Sequence, residues 1–184
     1  MGIRQHPPIA LLGNGITASY VKDFAKRHNI DIVDPSQASL VIASPGIPPN
    51  QFPGVDVPII SDIEWAYRLF QESGDPPKLI AVTGTNGKST VTAMISDVCD
   101  IPYAGNIGIP LISYVGLEAE FPAIVVEVSS YQLETCVHFT PDIGVFLNIT
   151  PDHLVRHGTS KEYLNQKKKC FQHQSKDHFL IYNS

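Results

Sequence analysis

Residues 79–90 read LIAVTGTNGKST, and this stretch decides the fold of the chain. The apolar residues 79–82 predict a buried strand, and residues 91–95 predict the start of a helix. The glycines between them allow a tight turn whose backbone N–H groups point inward, and the helix N-terminus adds partial positive charge. A strand, a glycine loop and a helix in this order predict a loop that cradles phosphate groups.

The side chains of this loop are candidate nucleotide and metal ligands. Lys88 can reach the terminal phosphates, and the hydroxyl of Ser89 or Thr90 can bind Mg²⁺. The usual pattern G-x-x-x-x-G-K-[ST] has Val82 at its first glycine position, so the loop is better described as G-x-x-G-K-S. The candidate cofactor-binding residues are Gly84, Thr85, Asn86, Gly87, Lys88, Ser89 and Thr90.

The amino-acid composition of the chain argues against two classes of binding partner. The chain has 184 residues, enough for one large or two small domains, with 18 acidic against 13 basic side chains. This mildly negative balance disfavours a nucleic-acid or membrane-surface binder, so we expect neither partner. The N-terminus lacks the apolar core of a signal peptide, and the three cysteines are widely spaced. We therefore expect a cytoplasmic protein with buried, reduced thiols.

The first part of the chain is typical of a Rossmann-like unit, in which a glycine turn joins a strand to a helix. The apolar residues 9–12 end at the turn 13–15, and a helix is predicted from about 17 to 27. Further strands are predicted at 30–34, 39–43 and 58–60, followed by a helix that Asp62 caps and that runs to about residue 71.

The clearest linker is SGDPP at residues 73–77. We therefore predict an α/β protein with a small Rossmann-like N-terminal domain, 1–75, followed by part of a P-loop parallel-sheet ATPase domain, 76–184. Apolar runs at 123–127 and 143–147 are typical of strands buried on both faces. A helix is predicted at about 161–172 and a last strand at 179–182, so we expect the chain to stop within this second domain.

Polar residues follow the predicted strands of the second domain. Glu127, Asn106, Asp152 and His153 come near the carboxyl ends of strands, where parallel sheets place their functional loops. A carboxylate and an imidazole beside phosphates are plausible Mg²⁺ ligands. Taken alone, Glu127 could equally be an acid at a helix N-terminus, and His153 a helix-capping histidine.

Lys167 gives an independent signal. At 100° per residue, it falls in the middle of the apolar arc formed by Tyr163, Leu164, Cys170 and Phe171. Burial of a bare ammonium is costly and lowers its pKa, so such a lysine needs an anionic partner or a chemical modification. The alternative is a lysine whose head group reaches water at the rim of the apolar surface.

The motifs together resemble the ATP-dependent Mur ligases of peptidoglycan synthesis. They occur in the order GTNGKST (84–90), GNIG (105–108), EVSSYQLE (127–134) and NITPDH (148–153). Within this family the chain is most similar to the branch that joins D-glutamate to UDP-N-acetylmuramoyl-L-alanine. The alternatives are a sister amide ligase, such as a folylpolyglutamate synthase, and a non-catalytic nucleotide-binding module.

The resemblance implies a role for each candidate residue. Lys88 contacts the β and γ phosphates of ATP, and two Mg²⁺ sites are expected. The implied metal ligands are Ser89, Thr90, Glu127, His153 and Lys167, the last as an N-carboxylated lysine. The implied catalytic residues are Lys88, His153 and Lys167. The implied substrate-binding residues are Ile16, Thr17, Asp34, Ser44 and Asn106, with UDP-N-acetylmuramoyl-L-alanine and D-glutamate as substrates of a monomeric enzyme.

Two departures from the family pattern stand out. The stretch between Asp34 and Ser39 is very short, so the first sheet lacks a strand and a helix that the family usually has, which weakens the assignment of Asp34. The resemblance covers only the front of the family's three domains, so we expect the C-terminal amino-acid-binding domain to be absent from this chain and the chain alone to be inactive.

Overall fold

The computed structural model describes residues 6–183, which contain two parallel sheets. The first sheet consists of β1 (Ile9–Leu12), β2 (Leu40–Ala43) and β3 (Ile59–Ser61), in that order, with helices α1 (Ile16–Arg27) and α2 (Asp62–Ser73). Residues 1–5, on which the expectation of no signal peptide depends, lie outside the described part.

The strand predicted at 30–34 is wrong. Only Ile32 forms a bridge, to Ile9, and the chain then leaves the sheet. The reason is local. The side chain of Asp34 accepts hydrogen bonds from the backbone N–H and the hydroxyl of Ser36, and its backbone carbonyl accepts from the N–H of Gln37. These three hydrogen bonds form a turn. The first sheet therefore has three strands.

Helix α2 begins with a serine cap. The side chain of Ser61 accepts from the backbone N–H of Glu64 at 3.3 Å, so Asp62 is the first helical residue and not the predicted cap. Gly74, with φ 86°, ends the helix in the left-handed conformation that favours glycine. Trp65 of this helix packs edge-on against Phe24 of α1, with ring centroids 5.4 Å apart.

The second sheet has five parallel strands. They are β4 (Lys78–Thr83), β5 (Tyr103–Gly105), β6 (Ala123–Glu127), β7 (Ile143–Phe146) and β8 (Phe179–Tyr182). Their spatial order is β5-β6-β4-β7-β8, and Val82 lies level with Glu127 on one side and with Val145 on the other. The carboxyl ends of β5, β6, β4 and β7 therefore meet at one edge of the sheet.

Four helices accompany this sheet. They are α3 (Lys88–Cys99), α4 (Ser130–Leu133), α5 (Leu154–His157) and α6 (Ser160–Lys168). The last is shorter than predicted, because Lys169–Phe171 continue it as a 3₁₀ turn. Cys136 and Cys170 are buried as expected, but Cys99 at the end of α3 is exposed, which corrects the expectation for that thiol. Each helix among residues 6–183 is too short or too polar to cross a membrane.

The two sheets share one apolar core. Phe24 and Phe70 from the first unit belong to the same buried cluster as Leu111, Leu133 and Phe139 from the second. The boundary predicted near residue 75 lies between α2 and β4, and the division into two domains stays a prediction. This shared apolar cluster holds the two units in contact.

A buried carboxylate crosses the same interface. Glu64 on α2 is fully buried, and its Oε2 accepts from the backbone N–H groups of Val137, His138 and Phe139 at 2.9–3.1 Å. Arg68 Nε donates to Oε1 at 2.8 Å, so the charge is also paired within the helix. This carboxylate ties α2 to the segment that follows α4.

Asp62 is a second buried acid at this interface. Gln132 Nε2 lies 3.5 Å from its Oδ1, whereas Oδ2 has no hydrogen-bond partner among the described residues. Burial raises the pKa of this carboxyl from 3.8 to about 6, against the opposing effect of Gln132 and the first helical N–H groups. The folded chain therefore binds the Asp62 proton more tightly than the unfolded chain does.

We expect Asp62→Asn to stabilise the fold above pH 6. The raised pKa of Asp62 means that stability falls as pH rises from about 4 to about 6, by about 3 kcal/mol in total. The amide removes this titration, so the two free energies of unfolding should converge near pH 4. Urea denaturation followed by circular dichroism at pH 4–7.5 measures this. Asp97→Asn on the exposed face of α3 is the control, and an unchanged pH dependence in Asp62→Asn would contradict the prediction.

Candidate functional site

The loop between β4 and α3 has the backbone that phosphate binding needs. Gly84 and Gly87 have φ values of 155° and 84°, which side chains rarely tolerate. No side chain caps the N-terminus of α3, so its first N–H groups are available for an anion. The Nζ of Lys88 donates to the carbonyls of Gly84 and Thr85 at 3.1 and 2.8 Å.

The loop is braced by the segment after β7. Asn148 accepts from the backbone N–H of Asn86 and donates to its carbonyl, both at 2.9 Å. The hydroxyl of Thr85 donates to the carbonyl of Thr150, whose N–H donates back to that hydroxyl. Tyr163 adds a hydroxyl contact to Thr85 at 3.3 Å. No sequence motif assigns this bracing role to Asn148. Its position after the predicted strand 143–147 is the one feature of the sequence that points to it.

Glu127 is a buried carboxylate in contact with the first turn of α3. It lies at the end of β6, where it accepts from the hydroxyl of Ser89 and the amide of Asn106, both at 2.7 Å. The structure thus brings together three of the predicted site residues. Ser89 and Thr90 are both exposed on α3, and the hydroxyl of Ser89 is the one that contacts this carboxylate.

Gly105 makes the approach of Asn106 to Glu127 possible. It has φ 107°, and a Cβ built there would lie 2.3 Å from the carbonyl oxygen of Glu127. That carbonyl accepts from Asn106 N at 2.9 Å. Only glycine fits between these two groups, a role that the sequence pattern did not assign.

Lys167 points inward, as the helical arc predicts. Its Nζ donates to the carbonyl of Gly84 at 2.7 Å and lies 4.7 Å from the ring centroid of Tyr163. The side chain is 1% exposed and forms no ion pair with any described residue. Burial, followed by repulsion from Lys88, lowers its pKa to about 8. The alternative with a hydrated head group is therefore wrong.

His153 has a strained backbone conformation. It precedes α5 with φ 53°, uncommon for a residue with a side chain and frequent at functional sites. Its Nδ1 is in hydrogen-bond contact with the hydroxyl of Tyr131 at 3.0 Å, and its Nε2 lies 3.6 Å from Asp152. Its ring also packs edge-on against Tyr163, the neighbour of Lys167.

A cleft of about 1070 Å³ opens beside His153. Tyr131, Asp152 and His153 form one wall, and residues 46 and 48–51 of the first unit form the other. The cleft therefore lies between the first unit and the second.

The predicted substrate residues of the first unit are only partly brought together. Ile16 and Thr17 begin α1 at the end of β1, and Ser44 N donates to the carbonyl of Leu12 in that strand. Asp34 does not join them, because the chain leaves the sheet near the start of β1. The hydrogen bonds from Ser36 lower the pKa of this exposed carboxyl.

The donor set favours a hard metal ion with few protein ligands. No group of three or more His, Cys, Asp or Glu side chains within residues 6–183 is arranged to hold a metal. The oxygens of Glu127 and Ser89 fit Mg²⁺, which normally keeps water and phosphate ligands. The site thus combines a phosphate loop, two inward lysines and one buried carboxylate, a set suited to phosphoryl transfer.

Comparison with known proteins agrees with this chemistry. A sequence profile of the Mur ligase middle domain matches residues 82–184. The UDP-N-acetylmuramoylalanine--D-glutamate ligase of Caldicellulosiruptor bescii is 38% identical over 157 residues, or 80% of this chain and 34% of that protein. The ligase of the same name from Rickettsia bellii is 41% identical over 172 residues, or 87% and 37%. The chain spans little more than a third of these relatives.

A solved structure supports the fold. MurF from Acinetobacter baumannii aligns with a TM-score of 0.51 and 18% identity, covering 95% of this chain and 40% of that one. This likeness concerns the α/β architecture of a Rossmann-like unit joined to a P-loop sheet.

We expect Gly105→Ala to disrupt the site. The added Cβ overlaps the carbonyl of Glu127 and needs an unfavourable positive φ, so unfolding free energy should fall by at least about 2 kcal/mol. Urea denaturation measures the loss, and titration with Mg-ATP should show weaker binding. Gly54→Ala is the matched control, because nothing lies within 4 Å of its Cβ position. Equal stability of the two variants would show that the close approach at Gly105 is unimportant.

Proposed function

This chain belongs to the Mur ligase family, and from that membership we propose that it supplies the ATP-binding part of a D-glutamate-adding ligase. The substrates are UDP-N-acetylmuramoyl-L-alanine, D-glutamate and ATP. The observation that carries the proposal is the grouping of Lys88, Lys167 and the Ser89–Glu127 pair around one phosphate loop. Relatives of about 40% identity whose name is that of this ligase support the choice of substrates.

The reaction has two steps. A carboxylate oxygen of the UDP-linked substrate attacks the γ-phosphorus of ATP, the bond to ADP breaks, and an acyl phosphate forms. The amine of D-glutamate then attacks the carbonyl carbon, phosphate leaves, and the amine loses its proton. Most of the catalytic demand is positioning and neutralisation of charge.

Lys88 and the N-terminus of α3 are the groups that meet the phosphates. Lys88 exchanges its present acceptors, the carbonyls of Gly84 and Thr85, for phosphate oxygens. The uncapped N–H groups of α3 donate to the same anion. Because the loop is already braced by Asn148 and Thr150, little reorganisation accompanies binding.

The proposal includes two Mg²⁺ sites. Ser89 and Glu127 would hold one ion, and His153 with a carboxylated Lys167 would contribute to the second. Bound there, Mg²⁺ neutralises the charge that develops on the transferring phosphoryl group. Glu127 keeps Asn106 in place through its other oxygen, so that this amide can orient the muramoyl end of the substrate.

Lys167 is proposed to carry a carboxylate. Its neutral amine attacks carbon dioxide, an N–C bond forms, and a proton passes to water. A pKa of about 8 leaves a useful neutral fraction at physiological pH. Lys167 has no anionic partner among the described residues, so the modification would replace a buried cation with an anion beside the proposed metal site.

The first unit is proposed to receive the UDP moiety. Ile16, Thr17 and Ser44 lie at the carboxyl ends of β1 and β2, where such sheets bind nucleotides. Asp34 remains part of the proposal as a uridine contact, although its strand is missing. The proposal also includes a monomeric protein in the cytoplasm. The cytoplasm is the compartment in which ATP and a UDP-linked precursor are both available.

The function is tested with the full-length protein. We expect phosphate release that requires ATP, UDP-N-acetylmuramoyl-L-alanine and D-glutamate together. A coupled phosphate assay measures it, with L-glutamate and other amino acids as controls. Activity with another amino acid and none with D-glutamate would overturn the proposal.

Carboxylation of Lys167 has its own test. We expect Lys167→Ala to lower kcat by at least about 100-fold through loss of charge beside the phosphates, with partial recovery on adding acetate. Carbon-13 NMR of the protein in labelled bicarbonate should show a carbamate signal that Lys167→Ala lacks. Lys168→Ala, on the same helix, is the control. Full activity of Lys167→Ala would refute the role.

A further inference from the structure

Arg156 on α5 reaches across the cleft from the second unit to the first. Its Nη2 donates to the carbonyl of Ile47 at 3.0 Å and lies 3.4 Å from the carbonyl of Pro45. These carbonyls belong to the loop that follows Ser44 at the end of β2. One side chain of the second unit is therefore hydrogen-bonded directly to this loop of the first unit.

The same guanidinium is anchored by a carboxylate. Its Nε donates to both oxygens of Glu134 at 3.0 and 3.1 Å, and its Nη2 donates to Oε2 at 2.6 Å. The two side chains are only 15% and 9% exposed, so solvent weakens this pair much less than an open surface pair. Lys169 donates to the backbone carbonyl of Glu134 at 2.9 Å and so holds the acceptor in place.

The guanidinium also covers Tyr131. Its Cζ lies 4.8 Å from the ring centroid, within the range of a cation–π contact. The hydroxyl of this tyrosine is the group that contacts His153 Nδ1 at 3.0 Å. Contacts therefore run without a break from the loop at Ile47, through Arg156 and Tyr131, to His153.

Contacts of the neighbouring residue His157 give these side chains further support. His157 Nε2 lies 3.0 Å from the hydroxyl of Ser130, and its Nδ1 lies 3.4 Å from Glu134. The order serine, histidine, glutamate resembles a nucleophile triad, but Ser130 is 3% exposed and out of reach of a substrate. Burial lowers the pKa of His157, which favours the neutral ring that links α4 to α5.

We propose that Arg156 is a positioning residue that sets the loop 44–47 in register with His153 across the cleft. This inference rests on the proposed function, in which the loop belongs to the UDP-binding unit and His153 to the reaction centre. A planar guanidinium makes the carboxylate, carbonyl and ring contacts at once, whereas a lysine ammonium cannot. Arg156 touches no reacting atom in this scheme and acts through its neighbours.

Kinetics of Arg156→Lys in the full-length protein test the proposal. The charge stays but the fork is lost, so we expect kcat to fall roughly 10- to 100-fold while the KM for ATP changes less than about twofold. The KM for ATP is spared because Asn148 and Thr150, not Arg156, hold the phosphate loop. A purely structural role would instead lower the melting temperature and change all constants together.

Hydrogen exchange provides a readout that does not depend on activity. In Arg156→Lys and in Glu134→Gln, we expect several-fold faster exchange in a peptide spanning residues 44–52, with no change in residues 84–95. If the wild-type protein shows no D-glutamate-dependent phosphate release, the proposed function fails, and this measurement still decides whether Arg156 holds the loop.

Tyr131→Phe separates the two ends of the contact chain. It keeps the ring beneath Arg156 and removes the hydroxyl at His153, so kcat should fall without faster exchange at residues 44–52. Arg27→Lys is the control. Arg27 is exposed, its Cζ lies 5.8 Å from the centroid of the Phe24 ring, and its replacement should leave both measurements as in the wild type. Unchanged kcat and unchanged exchange in Arg156→Lys and Glu134→Gln would overturn the proposal.

Discussion

The carboxylate of Glu64 lies where the two sheets meet, and the arrangement of the molecule depends on it. It accepts three consecutive backbone N–H groups from the segment after α4 while it remains paired with Arg68 on its own helix. Loss of this acceptor would leave the buried N–H of Phe139 without a partner, at a cost of about 1–3 kcal/mol. These hydrogen bonds hold α2, and with it the first unit, against the second unit.

The edge of the second sheet was predictable from sequence. The rule that parallel strands gather functional loops at their carboxyl ends needs only the strands and their order. Glu127 and the phosphate loop each follow a predicted apolar strand, whereas the short strand β5 before Asn106 was not predicted. The structure places the Ser89 hydroxyl and the Asn106 amide within hydrogen-bond distance of Glu127. The inward direction of Lys167 was equally accessible, because a helical period of 100° per residue fixes the face on which a side chain lies.

Contacts between distant segments could not be predicted in the same way. Glu64, Arg156 and Asn148 act on backbone groups 62 to 111 residues away, and no local pattern marks a side chain for such a partner. The missing strand at 30–34 has a different cause. Alternating apolar residues there suit a strand, but the turn at Asp34 removes the chain from the sheet after one bridge. Competing side-chain hydrogen bonds of this kind are weak signals in a sequence.

Tryptophan occurs only in the first unit. Trp65, the single tryptophan of the chain, is 5% exposed and packs on Phe24 in the first unit. The cleft wall and the lysine pocket instead use Tyr131 and Tyr163. Indole fluorescence therefore reports on the packing of α1 against α2 in the first unit, whereas far-UV circular dichroism reports on the helices of both units. An unlabelled sample can thus reveal whether the two units lose their order together or in sequence.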